Sequence, residues 1–132
     1  MSKQRAKGTP YENYVRDMYL LPVFPNAKRA PQLGIHDAGD FINTRHFLFE
    51  AKKWDKWDIP FWIRKTAPKA EKRGRPWVII FARDKRKGHP SLRDDFAVLP
   101  ARYLFRLLAA VYGAESDEDG LYDPFEGLND ER

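Results

Sequence analysis

The apolar run WVIIFA, from Trp77 to Ala82, is the feature that most constrains the fold of this chain. Six consecutive apolar residues that include β-branched and aromatic types are typical of a strand buried on both faces. Such a strand lies inside a sheet whose faces are covered by helices. The run therefore predicts an α/β protein.

Helical patterns precede this run. The first helix is predicted over residues 10–21. Glu12 sits at the acidic position of a capping box, and capping could be its sole role or could coexist with a functional one. Asp58 can cap a second helix over about residues 59–73. Pro68 lies inside that stretch, so we expect it to kink or split the helix.

A β-hairpin is predicted between these helices. Residues 40–42 would form its first strand, Asn43-Thr44 its turn and residues 45–52 its second strand. Because side chains alternate along a strand, the second strand has two faces. One face carries Phe47, Phe49 and Ala51, and the other carries Leu48, Glu50 and Lys52.

The C-terminal third predicts one more strand and one more helix. The strand covers residues 96–99, and Pro100 opens a helix that reaches about Tyr112. An apolar stripe on this helix is expected to join the core, and it consists of Leu104, Phe105, Leu107, Leu108 and Val111. With at most a short edge strand within residues 23–32, this order of elements predicts an α/β sandwich on a mixed sheet.

Charge divides the chain into a basic body and an acidic tail. The net charge is +5, but residues 115–132 hold eight acidic residues and one basic residue, so the first 114 residues carry +12. We expect residues 1–8 to be a flexible basic arm and residues 9–114 to be one domain. For residues 115–132 a disordered tail is the default interpretation, and a nucleic-acid mimic that folds over the basic face or a partner-binding peptide are the alternatives. The basic body favours a polyanionic partner.

Several classes of protein are excluded or disfavoured by composition. The absence of Cys excludes disulfide scaffolds, thiolate zinc sites and Cys nucleophiles. No apolar run approaches the roughly 18 residues of a membrane span, and the charged N-terminus is not followed by the apolar segment of a secretory signal. We therefore expect a cytoplasmic protein with no membrane partner.

Three residues of the predicted hairpin could form a catalytic group. Glu50 and Lys52 are two apart on one strand and face the same side, and the hairpin brings Asp40 beside Glu50. Mg²⁺ prefers oxygen ligands, and the carbonyl of Ala51 is a further candidate. A metal held there could lower the pKa of a bound water and stabilise charge on a phosphate. The set suits phosphodiester hydrolysis, although an isolated Glu-x-Lys is usually a solvated strand face.

Four segments make the sequence similar to a known superfamily. They are Gly8-Thr9-Pro10-Tyr11-Glu12, Lys28-Arg29-Ala30-Pro31, Gly39-Asp40-Phe41 and Glu50-Ala51-Lys52. Their order resembles the PD-(D/E)XK nucleases, and most of all the archaeal-type and phage-encoded Holliday junction resolvases. The resemblance covers about residues 7–110. Gly39 stands where the family usually has Pro, and Asp37 is an alternative to Asp40 as the first metal ligand.

The resemblance implies a fold and a site. The fold would be a restriction-endonuclease-like sandwich with a central mixed five-stranded sheet flanked by helices, in the order α-β-β-β-α-β-β-α. Asp40 and Glu50 would bind Mg²⁺, or Mn²⁺ in its place, together with the Ala51 carbonyl. Glu12 would bind the metal directly or through water, and Lys52 would act on the attacking water.

The resemblance also implies a homodimer that nicks four-way DNA junctions during recombination, repair or phage DNA processing, in a bacterial, archaeal or phage-infected host cell. A flap, recombination-linked or restriction-type nuclease of the same superfamily is the alternative, as is a basic DNA-binding module without catalysis. Symmetric nicks across a junction suit a twofold-symmetric dimer.

Basic residues beside this site could hold the DNA backbone, although such runs often serve only solubility. The predicted DNA-binding residues are Lys28, Arg29, Lys53, Arg64, Lys65, Lys69, Lys72, Arg73, Arg83, Lys85, Arg86 and Lys87. Trp54, Trp57 and Trp62 could stack on bases or form a dimer interface, but packing is favoured for Trp62 because its neighbours are apolar.

Overall fold

The computed structural model describes residues 10–31, 39–54, 56–82 and 94–113, and three helices lie within them. Helix α1 covers residues 10–20, with an α-helical part to residue 15 and a π-helical part over Arg16–Leu20. Helix α2 is Ile59–Lys72, and helix α3 is Ala101–Tyr112. All three helices were predicted at nearly these bounds. The expected cap on α2 is also present, since Asp58 Oδ1 accepts a 3.3 Å hydrogen bond from the Phe61 N–H, and Pro68 does not split the helix.

Five strands are described, and they form two sheets. Strands β1 (Lys28–Arg29) and β2 (Phe41–Ile42) pair antiparallel. Strands β3 (Leu48–Lys52), β4 (Trp77–Phe81) and β5 (Phe96–Val98) form the second sheet in that order. There β3 is parallel to β4, and β4 is antiparallel to β5. The α/β class is confirmed, but the described strands do not form a single five-stranded sheet.

The predicted hairpin is therefore only partly formed. Strand β2 pairs with β1, and the residue before it, Asp40, donates a 2.9 Å main-chain hydrogen bond to the Phe49 carbonyl of β3. The next donor on β3, the Ala51 N–H, bonds instead to the Asp40 side chain. At Ala51 a carboxylate therefore takes the place of a main-chain acceptor. The sequence pattern could not show this, since it places the residues side by side without assigning the acceptor.

The core lies on both faces of the β3–β4–β5 sheet. On one face, α1 contributes Tyr11 and Val15 to a cluster with alternate residues of the strands, namely Phe49, Ala51, Val78 and Ile80. On the other face, the fully buried Trp62 of α2 packs on Phe81 at 5.5 Å between ring centroids. All five residues of β4 are buried, as the apolar run predicted.

The tryptophans pack inside the chain. Trp54 lies edge-on to Trp62 at 5.6 Å, and Trp57 lies edge-on to Phe81 at 5.0 Å. The Trp57 indole N–H also donates to the Ala82 carbonyl at 2.9 Å. The preference for packing at Trp62 is confirmed.

One carboxylate joins α1 to the start of β5. Asp95 accepts hydrogen bonds from the hydroxyl groups of Tyr11, at 3.0 Å, and Tyr19, at 2.8 Å. Tyr14 stacks beside Tyr11, with ring centroids 6.0 Å apart. These contacts fix α1 to the sheet through both ends of the helix.

The chain divides into two compact units between Leu99 and Pro100. Helix α3 is the described part of the second unit, and none of its residues is buried. The expectation that its apolar stripe joins the core is therefore wrong for the described residues: Leu104, Phe105, Leu107 and Val111 are exposed, and Leu108 is only partly buried. The helical spacing correctly predicts an apolar face but carries no information on what covers it.

Within the described residues, no helix has the length and apolar character needed to cross a bilayer.

Candidate active site

Asp40 and Glu50 meet at the edge of β3 that faces away from β4. Asp40 Oδ2 accepts a 2.8 Å hydrogen bond from the Ala51 N–H, and its main-chain carbonyl accepts another, also 2.8 Å, from the Ala30 N–H. The second carboxyl group, that of Glu50, is almost fully buried in the middle of β3. The Asp40 carboxyl group also has a side-chain hydrogen bond with Glu50, so the predicted approach of these two acids is present.

Gly39 makes this approach possible. Its φ is +106°, which L side chains rarely adopt. A Cβ at this position would lie 2.9 Å from the Phe49 carbonyl oxygen. The residue before Asp40 must lack a side chain, because the main chains of residues 39 and 49 are nearly in contact.

Burial raises the pKa of the Asp40 carboxyl well above its ordinary value, and the charge of Glu50 and a hydrogen bond with Glu50 raise it further. The Ala51 N–H acts in the opposite direction by stabilising the carboxylate, and the charge of Glu12 adds a smaller upward effect. The two carboxyl groups are therefore close enough to compete for ionisation. A buried carboxyl group whose pKa is raised by burial and by a neighbouring acid is typical of a functional site.

Glu12 adjoins this pair but is bound to a cation. Its Oε2 accepts a 2.8 Å charge-assisted hydrogen bond from Nε of Arg29, which lies on β1. Arg29 was predicted to bind DNA, and in the structure it holds an acid of the site. The capping interpretation of Glu12 requires Thr9, which lies outside the described residues.

Glu50 also has a cationic partner, and it is not the one the sequence suggested. Nζ of Lys69 on α2 contacts Oε1 of Glu50. Lys52 shares the face of Glu50 on β3 and is partly exposed, as the alternation predicted. Lys69 was predicted only as a DNA-binding residue. Its helical spacing from the buried Trp62 and Thr66 was the available signal that it faces the sheet.

The carboxyl groups of Asp40 and Glu50 are ligands of the kind that a hard divalent cation prefers. The Ala51 N–H points to the edge where Asp40 lies, and the carbonyl of a strand residue points to the same edge as its N–H. Mg²⁺ commonly takes one or two carboxylates and completes its shell with water and substrate phosphate. Among the described residues, no group of three or more His, Asp or Glu side chains is arranged to hold a metal.

The other predicted site residues lie in different surroundings. Among the described residues, the exposed basic side chains from the predicted set are Lys28, Arg64, Lys65, Lys72 and Arg73, and Lys53 is partly exposed. The remaining predicted residues, Asp37, Arg83, Lys85, Arg86 and Lys87, lie outside the described residues. An open pocket of about 490 Å³ lies apart from the carboxyl groups and is lined in part by Lys28, Asn43 and Arg45.

Comparison with known proteins gives no match to a family model, to a curated protein or to a solved structure.

Proposed function

We propose that the chain is a metal-dependent DNA endonuclease of the PD-(D/E)XK type that resolves four-way junctions by paired symmetric nicks. The observation that carries the proposal is the pairing of Asp40, bonded to the Ala51 N–H, with the buried carboxylate of Glu50. Buried acids beside one another destabilise a fold unless a cation or a proton compensates them. A divalent cation would compensate both acids at once, which favours a functional role for the pair.

Each residue then has a defined task. Asp40, Glu50 and the Ala51 carbonyl would hold Mg²⁺ or Mn²⁺, with Glu12 adjoining them. The bound ion would supply a Lewis acid and a water of lowered pKa. Lys52, on the face of Glu50, would position that water and stabilise the negative charge that develops on the phosphate oxygens.

Binding of DNA would depend on charge and backbone shape. The exposed basic residues of α2, Arg64, Lys65 and Lys72, and Arg73 directly after it suit contacts with phosphates. No base-reading module is recognisable in the chain, so we expect junction geometry and not sequence to select the substrate. A homodimer would place two active sites symmetrically on the junction. Such an enzyme would work in the cytoplasm of a bacterial, archaeal or phage-infected cell.

The decisive experiment uses three labelled substrates, a four-way junction, a flap and a linear duplex, each with Mg²⁺ and with EDTA. Symmetric paired nicks in the junction alone, lost in EDTA, would support the proposal. Equal cutting of flap or linear DNA would indicate another nuclease of the same type. Binding of DNA without any metal-dependent cut would indicate a non-catalytic module.

Two substitutions test the site in the same assay. Glu50→Gln should lower cleavage below about 1% of the wild-type rate, because a metal ligand is lost. Lys52→Ala should slow cleavage by about 10²–10⁴-fold, the usual contribution of a group that acts on the attacking water. The matched controls are Glu71→Gln and Lys56→Ala, since both of these residues are exposed. Full activity of the Glu50 variant would overturn the site assignment.

A further inference from the structure

The contact between Lys69 and Glu50 lies within the proposed active site and is largely shielded from solvent. The side chain of Glu50 is 5% exposed and that of Lys69 is 25% exposed. By contrast, Lys72 and Arg73, which follow on the same chain segment, are exposed. Lys69 is therefore poorly placed to contact a phosphate of DNA while it is bound to Glu50.

The position of Lys69 follows from the inner face of α2. Trp62, Thr66 and Ala70 are buried and recur every four residues, so they mark the stripe that faces the sheet. Lys69 precedes Ala70 and follows Thr66 by three residues, which puts it at the border of this stripe. From this border its apolar stem can lie along the core while the ammonium group reaches Glu50.

Stability alone gives no reason for this pair. Removing two charges from water roughly offsets their attraction, so a pair of apolar side chains would stabilise the fold as well or better. The acid concerned is also one of the two that the proposed function assigns to the metal. In the proposed function a divalent ion would bind the same Glu50 oxygen that the Lys69 ammonium group now contacts.

We infer that Lys69 occupies the divalent-cation position on Oε1 of Glu50 and must leave that oxygen when a metal ion binds. This inference rests on the proposed function, because it takes Glu50 as a metal ligand. Lys69 is then a positioning residue. It compensates and orients the Glu50 carboxylate in the absence of metal, and it opposes metal binding by charge and by occupancy.

The test compares K69M with the wild-type protein by Mn²⁺ titration calorimetry and by thermal unfolding. Removing the competing ammonium should tighten Mn²⁺ binding by about tenfold or more. In EDTA, K69M should melt several degrees below the wild type, because the buried Glu50 loses its counter-ion. Saturating Mn²⁺ should narrow the difference in melting temperature between K69M and the wild type. The variant binds Mn²⁺ more tightly and is therefore stabilised more by it.

The controls separate exchange of cations from simple support of the fold. K72M changes an exposed lysine of the same helix and should alter neither quantity. K69Q can still donate a hydrogen bond to Glu50 and provides a folded neutral variant if K69M does not fold, with the same expected direction for Mn²⁺. Equal Mn²⁺ affinity in the wild type and both Lys69 variants, or a melting difference that Mn²⁺ does not change, would overturn the inference.

Metal binding and DNA cleavage can fail separately. If Lys69 controls Mn²⁺ affinity as expected but no DNA substrate is cut, the proposed function is wrong and the inference stands. If none of the proteins binds Mn²⁺, both are wrong. If DNA is cut with Mg²⁺ while K69M leaves Mn²⁺ affinity unchanged, the function stands and the inference is wrong.

Discussion

The N–H of Ala51 donates a 2.8 Å hydrogen bond to Oδ2 of Asp40, so an acid of the candidate site is fixed to the main chain of β3. The main chain of β3 orients this carboxylate, and the carboxylate satisfies a strand N–H that would otherwise need another acceptor. Architecture and chemistry therefore depend on the same two atoms.

Asp40→Asn should abolish cleavage and raise the stability of the metal-free protein at neutral pH. Because burial and Glu50 raise the pKa of Asp40, the proton is bound more tightly in the folded state. The wild-type protein therefore loses stability as pH rises from the unfolded pKa of about 3.9 through the folded pKa. Asn has no such loss and can still accept the Ala51 hydrogen bond.

The measurement for this variant is thermal unfolding in EDTA at pH 4 and pH 8. The gain in thermal stability of Asp40→Asn over the wild type should be larger at pH 8, where ionisation of the buried Asp40 carboxyl group is favoured by solution pH. Asp94→Asn, at an exposed position, serves as the control. A larger advantage at pH 4 would contradict the assigned direction of the shift.

Gly39→Ala should destabilise the fold by about 2–4 kcal/mol and lower cleavage together with it, because it combines positive φ with a close main-chain contact. The Cβ would lie 2.9 Å from the Phe49 carbonyl oxygen, which cannot move without disturbing β3. Gly74→Ala is an informative control, since Gly74 also has positive φ, +65°, but has open space around its Cβ position. Urea unfolding should show a loss of only about 1 kcal/mol for Gly74→Ala. Equal losses would show that the contact at residue 39 is unimportant.

Tyr11→Phe should lower stability by about 1–2 kcal/mol, because Asp95 loses a partly buried hydrogen bond to a charged group.

Burial, together with Asp95, raises the pKa of both Tyr11 and Tyr19 above the ordinary value of about 10. Their unfolded forms ionise first, so wild-type stability falls as pH rises above about 10. Tyrosinate absorbance during an alkaline titration should show these two groups ionising only with unfolding. Early ionisation of all tyrosines would contradict the contact.

Lys72→Ala removes one of the exposed lysines that the proposed function assigns to DNA phosphates, so it should reduce the slope of log affinity against log salt by about 0.9 for duplex arms. Lys69→Met should leave the slope nearly unchanged, because its ammonium group faces Glu50. Fluorescence anisotropy with a four-way junction at several salt concentrations measures both slopes. A larger effect at Lys69 than at Lys72 would reverse the assignment of the two lysines.

The sequence predicts the parts of the site that depend on local geometry. The period of two along β3 puts Glu50 and Lys52 on one face, and a chain reversal after Asp40 brings it to Glu50. Lys69 was missed as a partner of Glu50 because this contact depends on how α2 lies across the sheet. A border position on a helix can turn either to the core or to solvent.

Pairing between strands was also beyond local patterns. The segment Phe41–Ile42 pairs with Lys28–Arg29, whereas the Ala51 N–H of β3 is bound to the Asp40 carboxylate. Alternation and turn residues indicate where strands lie but leave several partners open. The same limit applies to α3, whose apolar spacing predicts a face without predicting its cover.

The Asp95 hydrogen bonds constrain when α1 can dock during synthesis of the chain. Asp95 follows Tyr11 by 84 residues and Tyr19 by 76, so it leaves the ribosome last of the three. At roughly 5–20 residues per second, translation separates Tyr11 from Asp95 by roughly 4–17 s. For those seconds α1 exists without the carboxylate that fixes it, so its final docking must follow translation of β5.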